Sequence, residues 1–91
     1  MTALRRTMPI VNQRGLHARA SRKLAELALA YEATIRVRRE DEEADGTSLM
    51  DLMMLGAGIG TEIEVIAEGP QAETALDAIE RLVADKFGEG E

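Results

Sequence analysis

Apolar and polar positions along the chain follow two periods, and each switch between them marks the edge of an element. Over residues 4–11, Leu4, Met8 and Ile10 take one face while Arg5, Thr7 and Pro9 take the other, the alternation of a half-buried strand. Pro9 has no N–H to give a ladder, so this strand belongs at a sheet edge or beside a bulge. Residues 18–31 change to helical spacing, with Ala20, Leu24, Leu27, Ala28 and Tyr31 on one stripe and Arg22, Lys23 and Glu26 on the outer face. Residues 34–38 alternate again, Ile35 and Val37 inward. Residues 39–45 carry so much charge that they predict a turn and an exposed edge strand, where charge discourages pairing with another chain.

Gly46-Thr47-Ser48 interrupts the pattern before a helix of about two turns over 49–55. Ser48 suits its N-cap, Asp51 three residues on completes a short capping box, and Gly56 suits the position after its end. This helix is apolar nearly all round, which predicts deep burial or a contact surface. Residues 62–68 form the clearest strand, with Ile63, Val65 and Ala67 inward and the glutamates toward water. Gly69-Pro70 ends it. A last helix spans 71–87, with Ala72, Leu76, Ile79, Val83 and Phe87 on its buried stripe, and an acidic tail begins at Gly88. The order strand, helix, strand, strand, short helix, strand, helix predicts an α/β (α+β) domain of two layers, an open-faced sandwich with its helices on one face of the sheet.

Length and composition narrow the function. The 91 residues fit one domain, 1–91, with a single modest core. With no cysteine and one histidine, disulfides, thiolate metal sites and histidine-rich zinc clusters are excluded. No secretory signal or membrane-spanning run is visible, so the expected setting is the cytoplasm. The net charge of −6 is unevenly spread: residues 1–25 carry +6 and no acid, and the remainder carries −12. The histidine lies in the positive part, a field suited to holding phosphate and steering an acidic partner. Nucleic acid is a poor fit, given a pI near 4.8 and two aromatic residues.

Chemistry concentrates in Asn12-Gln13-Arg14-Gly15-Leu16-His17-Ala18-Arg19-Ala20-Ser21. Asn12 and Gly15 are turn residues, and the helix that follows starts near His17. A helix start offers unpaired N–H groups and a positive dipole end, which favour an anion. A neutral imidazole is a good nucleophile near physiological pH, and Arg19 adds a charge in the same turn. Phosphoryl transfer depends mostly on positioning and charge stabilisation, so these groups suffice with no cofactor or metal. Gly56-Ala57-Gly58-Ile59-Gly60 follows a helix and precedes a strand, the reverse of a dinucleotide fingerprint, and reads as a connection. The acid pairs Glu42-Glu43 and Glu62/Glu64 lie in a turn and on a solvated strand face and lack a group to split their acidities.

The string Gly15-Leu16-His17-Ala18-Arg19 with Asn12 resembles the active-site signature of the histidine-containing phosphocarrier (HPr) family of the bacterial phosphoenolpyruvate-dependent phosphotransferase system. Ser48-Leu49-Met50-Asp51-Leu52-Met53-Met54-Leu55-Gly56 resembles the family's second signature, at the right separation. The resemblance covers essentially the whole chain and implies a four-stranded antiparallel sheet with three helices on one face. It implies that His17 is the residue phosphorylated, at Nδ1, that Arg19 balances the phosphoryl charge, and that Ser48 is a regulatory serine open to an HPr serine kinase/phosphorylase. It further implies a stoichiometric carrier rather than a true catalyst, charged by Enzyme I and discharged to an EIIA-type protein. Leu49, Met50 and Met53, beside a basic rim of Arg19, Arg22 and Lys23, are the expected docking surface. Ala20 stands where the family commonly has proline. That change, with Leu-Met-Met-Leu at 52–55, resembles the nitrogen-related (NPr-like) branch or the single HPr of bacteria whose system is mainly regulatory. An acylphosphatase-like hydrolase of similar size would need a glycine-rich arginine loop before a helix, and the chain has none.

Overall fold

The computed structural model describes residues 3–89. Strands β1 (Leu4–Pro9), β2 (Thr34–Arg39), β3 (Glu42–Asp45) and β4 (Glu62–Glu68) form one antiparallel sheet in the order β1-β4-β2-β3. Helices α1 (Ala18–Leu29), α2 (Leu49–Met54) and α3 (Ala72–Ala84) pack on one face, and a single 3₁₀ turn (Lys86–Gly88) follows α3. The layers and element order are those the pattern predicts.

Register follows from the apolar alternation. Met8 pairs with Ile63, Val37 with Val65 and Ile35 with Ala67, so these rungs all face the helices. They meet Leu24 and Ala28 of α1, Leu52 of α2, and Leu76, Ile79 and Val83 of α3 in one core. Each large side chain so buried contributes about 1.5–3 kcal/mol, enough to make a one-residue slip prohibitive. Arg6 has the same parity as Met8 and therefore also points toward the helices. It lies where its guanidinium reaches Asp77 at 2.7 Å and Glu80 at 3.0 Å, which ties β1 to α3.

Three differences from the sequence expectation have identifiable causes. Helix α1 stops at Leu29 rather than Tyr31, because Glu32 N–H donates to Gln71 Oε1 (2.7 Å) and Gln71 N–H donates back to Glu32 O (3.0 Å). Those bonds draw the chain out of helical geometry. The capping box at α2 is only half formed: Asp51 N–H donates to Ser48 Oγ (3.2 Å), but Asp51 Oδ2 faces Asp45 N–H rather than Ser48 N–H. Ser48 N–H instead donates to Asp45 O (3.0 Å).

The third difference bears on the site. Helix α3 ends at Ala84, although the apolar stripe continues to Phe87. Lys86 and Phe87 both adopt positive φ, +56° and +55°, a region that costs a non-glycine residue about 1 kcal/mol or more. Two contacts hold them there. The Phe87 ring is wholly buried, and Lys23 Nζ donates to Phe87 O at 2.6 Å. The chain thereby doubles back and brings Glu89 to the start of α1.

Candidate functional site

The loop between β1 and α1 is fixed from both sides. Ile10 exchanges backbone hydrogen bonds with the far connection: its N–H donates to Thr61 O (2.8 Å), and its carbonyl accepts from Gly60 N–H (3.0 Å). Gly15 N–H donates to Asn12 O (3.2 Å), and Leu16 N–H donates to Ala57 O (2.9 Å). Gly15 has φ +61°, and a Cβ there would lie 2.2 Å from Ala57 O, so only glycine fits. The Gly56–Gly60 stretch is thus the support on which the histidine loop rests, in keeping with its reading as a connection.

Asn12 is fully buried, and its amide NH₂ donates to Gly15 O (2.9 Å) and to Glu89 Oε1 (3.1 Å). Ser21, also fully buried, donates from Oγ to Leu16 O (3.0 Å). These two polar side chains hold the loop against the first turn of α1 in place of regular secondary structure.

His17 is the N-cap of α1, with extended backbone, and its Nδ1 accepts from Arg19 N–H at 3.2 Å. The other ring nitrogen, Nε2, is hydrogen-bonded to Glu89 Oε2. The imidazole is 22% exposed, so it is held by the protein yet open to a partner. No acid lies in the first turn of α1. Arg14, His17, Arg19, Lys23, Gly88 and Glu89 line a cleft of about 280 Å³. Among the described residues, the side chains of Arg14 and Arg19 make no ion pair or hydrogen bond, so both charges are available to an anion entering beside Nδ1.

The remaining sequence-predicted residues divide between the cleft and its surroundings. Arg19 and Lys23 reach the cleft, but Lys23 is half-buried and tied to Phe87 O instead of standing free on a rim. Arg22 points outward and pairs with Glu26 across one turn (3.2 Å), an exposed pair of small energetic weight. Ser48 caps α2 through Oγ. On α2, Leu52 is buried, while Leu49, Met50 and Met53 are 37%, 65% and 38% exposed. Met54, which the sequence did not single out for contact, is 76% exposed, so the outer face of this helix is wider than expected. Glu89 is the site residue that sequence reasoning missed. The one local signal was Phe87, a large apolar residue whose burial pins the tail.

The family model described as "PTS HPr component phosphorylation site" matches residues 4–85. The chain is 43% identical over 88 residues to the phosphocarrier protein HPr of Cupriavidus necator, covering 97% of this chain and 99% of that protein. It is 44% identical over 89 residues to the phosphocarrier protein NPr of Shewanella violacea, covering 98% of each. Among solved structures, HPr-C-His from Thermoanaerobacter tengcongensis superposes with a TM-score of 0.88 at 32% identity, over 98% of both chains.

Proposed function

The chain belongs to the HPr phosphocarrier family of the phosphotransferase system, and on that footing we propose that His17 is its phosphoryl acceptor, charged by Enzyme I and discharged to an EIIA-type protein. The observation that carries this reading is that His17, the N-cap of α1, lines one cleft with Arg14 and Arg19, whose side chains have no partner among the described residues. The Nδ1 lone pair forms a bond to phosphorus as the donor's bond to phosphorus breaks and its electron pair leaves with the donor. Arg19, with Arg14 lining the same cleft, balances the charge of the incoming phosphoryl group. The cleft is shallow and supplies little else, which suits a carrier used once per turnover whose partners bring the rest of the machinery.

Leu49, Met50 and Met53 serve as the apolar half of the docking surface, with Arg22 and the cleft cations as its basic half. Unbranched methionine side chains adapt to successive partners. Ser48 is the proposed target of an HPr serine kinase/phosphorylase. A phosphate there would be tolerated by the helix start, yet it would place negative charge beside the docking surface. The proposed setting is the cytoplasm. Among the described residues, no helix is long and apolar enough to cross a membrane.

The test is incubation with phosphoenolpyruvate and an Enzyme I, read by intact mass. One phosphate should be added, stable in base and lost in acid. His17→Ala should take none, and Arg19→Ala should be charged about tenfold more slowly or worse while folding as the parent does. A His17→Ala protein that still gains an acid-labile phosphate refutes the assignment.

A further inference from the structure

The two nitrogens of the His17 ring face groups of opposite kind. Nδ1 is approached by the Arg19 backbone N–H, which can only donate. Nε2 is bonded to the Glu89 carboxylate, which when ionised can only accept. A neutral imidazole carries one donor and one acceptor, so this pair of neighbours admits a single tautomer, with the proton on Nε2 and the lone pair on Nδ1.

Glu89 is held in place for this contact. Its side chain is only 9% exposed, and its second oxygen accepts from the buried Asn12 amide at 3.1 Å. A carboxylate that far from water needs partners, and each of its oxygens has at least one. Its backbone is set by the positive-φ turn at Lys86 and Phe87, by Glu89 N–H donating to Lys86 O (3.0 Å), and by the Lys23 bond to Phe87 O. The strain of that turn delivers a negative charge to the side of the ring away from the nucleophile.

We propose that Glu89 is a positioning residue for phosphoryl transfer: it fixes His17 in the Nε2–H tautomer and offsets the ring charge that appears as Nδ1 is phosphorylated. The inference rests on the reading of His17 as acceptor. When the Nδ1 lone pair forms the bond to phosphorus and the donor's bond breaks, the ring becomes cationic with its proton still on Nε2. Glu89 stabilises that cation through the hydrogen bond already present. When the phosphoryl group leaves, the bond electrons return to Nδ1 and the ring is neutral again. The Nε2 proton need not move at any stage. The arrangement matches the way a buried carboxylate orients a histidine in hydrolytic triads, although here the histidine is itself the nucleophile.

The experiment uses the full chain labelled with ¹⁵N-histidine, whose single ring gives one unambiguous set of two-bond ¹H–¹⁵N correlations. The parent should show a protonated Nε2 and a bare Nδ1. Glu89→Ala should populate both tautomers and accept phosphate from Enzyme I about tenfold more slowly, while still folding and unfolding cooperatively. Glu68→Ala, which removes the same charge from an exposed position outside the cleft, should match the parent in both readings. A parent-like tautomer ratio in Glu89→Ala overturns the proposal. So does transfer at the parent rate, and so does faster transfer, which would mean that the tail obstructs the site. Because the tautomer is read before any phosphate is added, it tests Glu89 separately. Phosphate found on a residue other than His17 would instead sink the acceptor assignment.

Discussion

Gly15→Ala should be among the most damaging single-methyl additions in the chain, and its cost divides into terms that can be measured separately. The new Cβ would stand 2.2 Å from Ala57 O and 2.7 Å from Gly58 Cα, backbone atoms that cannot turn aside as a side chain can. Left-handed φ at an alanine costs about 1 kcal/mol. Relief of the overlap costs about 1–3 kcal/mol. Separation of the two loops forfeits the Leu16 N–H to Ala57 O bond, about 1 kcal/mol more. The total, about 3–5 kcal/mol, is a large share of the roughly 5–14 kcal/mol expected for a domain of this size. Gly56 is the matched control, with φ +64° and no atom within 4 Å of the added methyl. Gly56→Ala should therefore show only the φ term, about 1 kcal/mol. Urea denaturation of the three proteins gives both differences. A Gly15→Ala variant no less stable than Gly56→Ala would refute the argument that contact with residue 57 fixes the loop.

Three further outcomes follow from side chains in and near α2. The backbone N–H of Thr47, and then its hydroxyl, hold the Asp45 carboxyl below the usual carboxylate range. The contribution is present above about pH 4 and is lost as acid protonates the folded form, so Asp45→Asn should be less stable than the parent at pH 7 by about 0.5 kcal/mol or less. The gap should narrow as the pH falls below about 4 in paired urea titrations, and a gap that widens in acid would contradict the sign. Met50→Glu, at a 65% exposed position, should leave stability within about 0.5 kcal/mol while lowering the efficiency of charging by Enzyme I. Leu52→Ala, at a fully buried one, should lose about 2–5 kcal/mol. A destabilised Met50→Glu protein with undiminished transfer would remove Met50 from the docking surface.

Much of the fold was legible because its signals are local. Ile63, Val65 and Ala67 announce a strand and its inner face, and Ser48 announces a helix start. The histidine and Arg19 sit in a compact string whose turn residues and helix pattern adjoin one another. What escaped depends on distant partners. Ile66 breaks the alternation of β4 and is nevertheless buried, although its register partners on the two neighbouring strands are Arg5 and Arg36. The end of α3 was invisible because Phe87 keeps helical spacing with Val83, while the turn that stops the helix is imposed by core burial and by Lys23. Glu89 reads as a solubilising tail residue until the fold places it on a ring 72 positions earlier.

That separation affects how the protein is made. The histidine loop leaves the ribosome early, yet Leu16 is braced by residue 57 and Asn12 is bonded to residue 89. Until those later stretches emerge, Gly15 has no surface to close against, and the imidazole has no carboxylate on its far nitrogen. A nascent or truncated chain therefore displays the whole signature string without the geometry that goes with it. Such fragments would be poor traps for phosphoryl groups, and competence would arrive only with the completed fold.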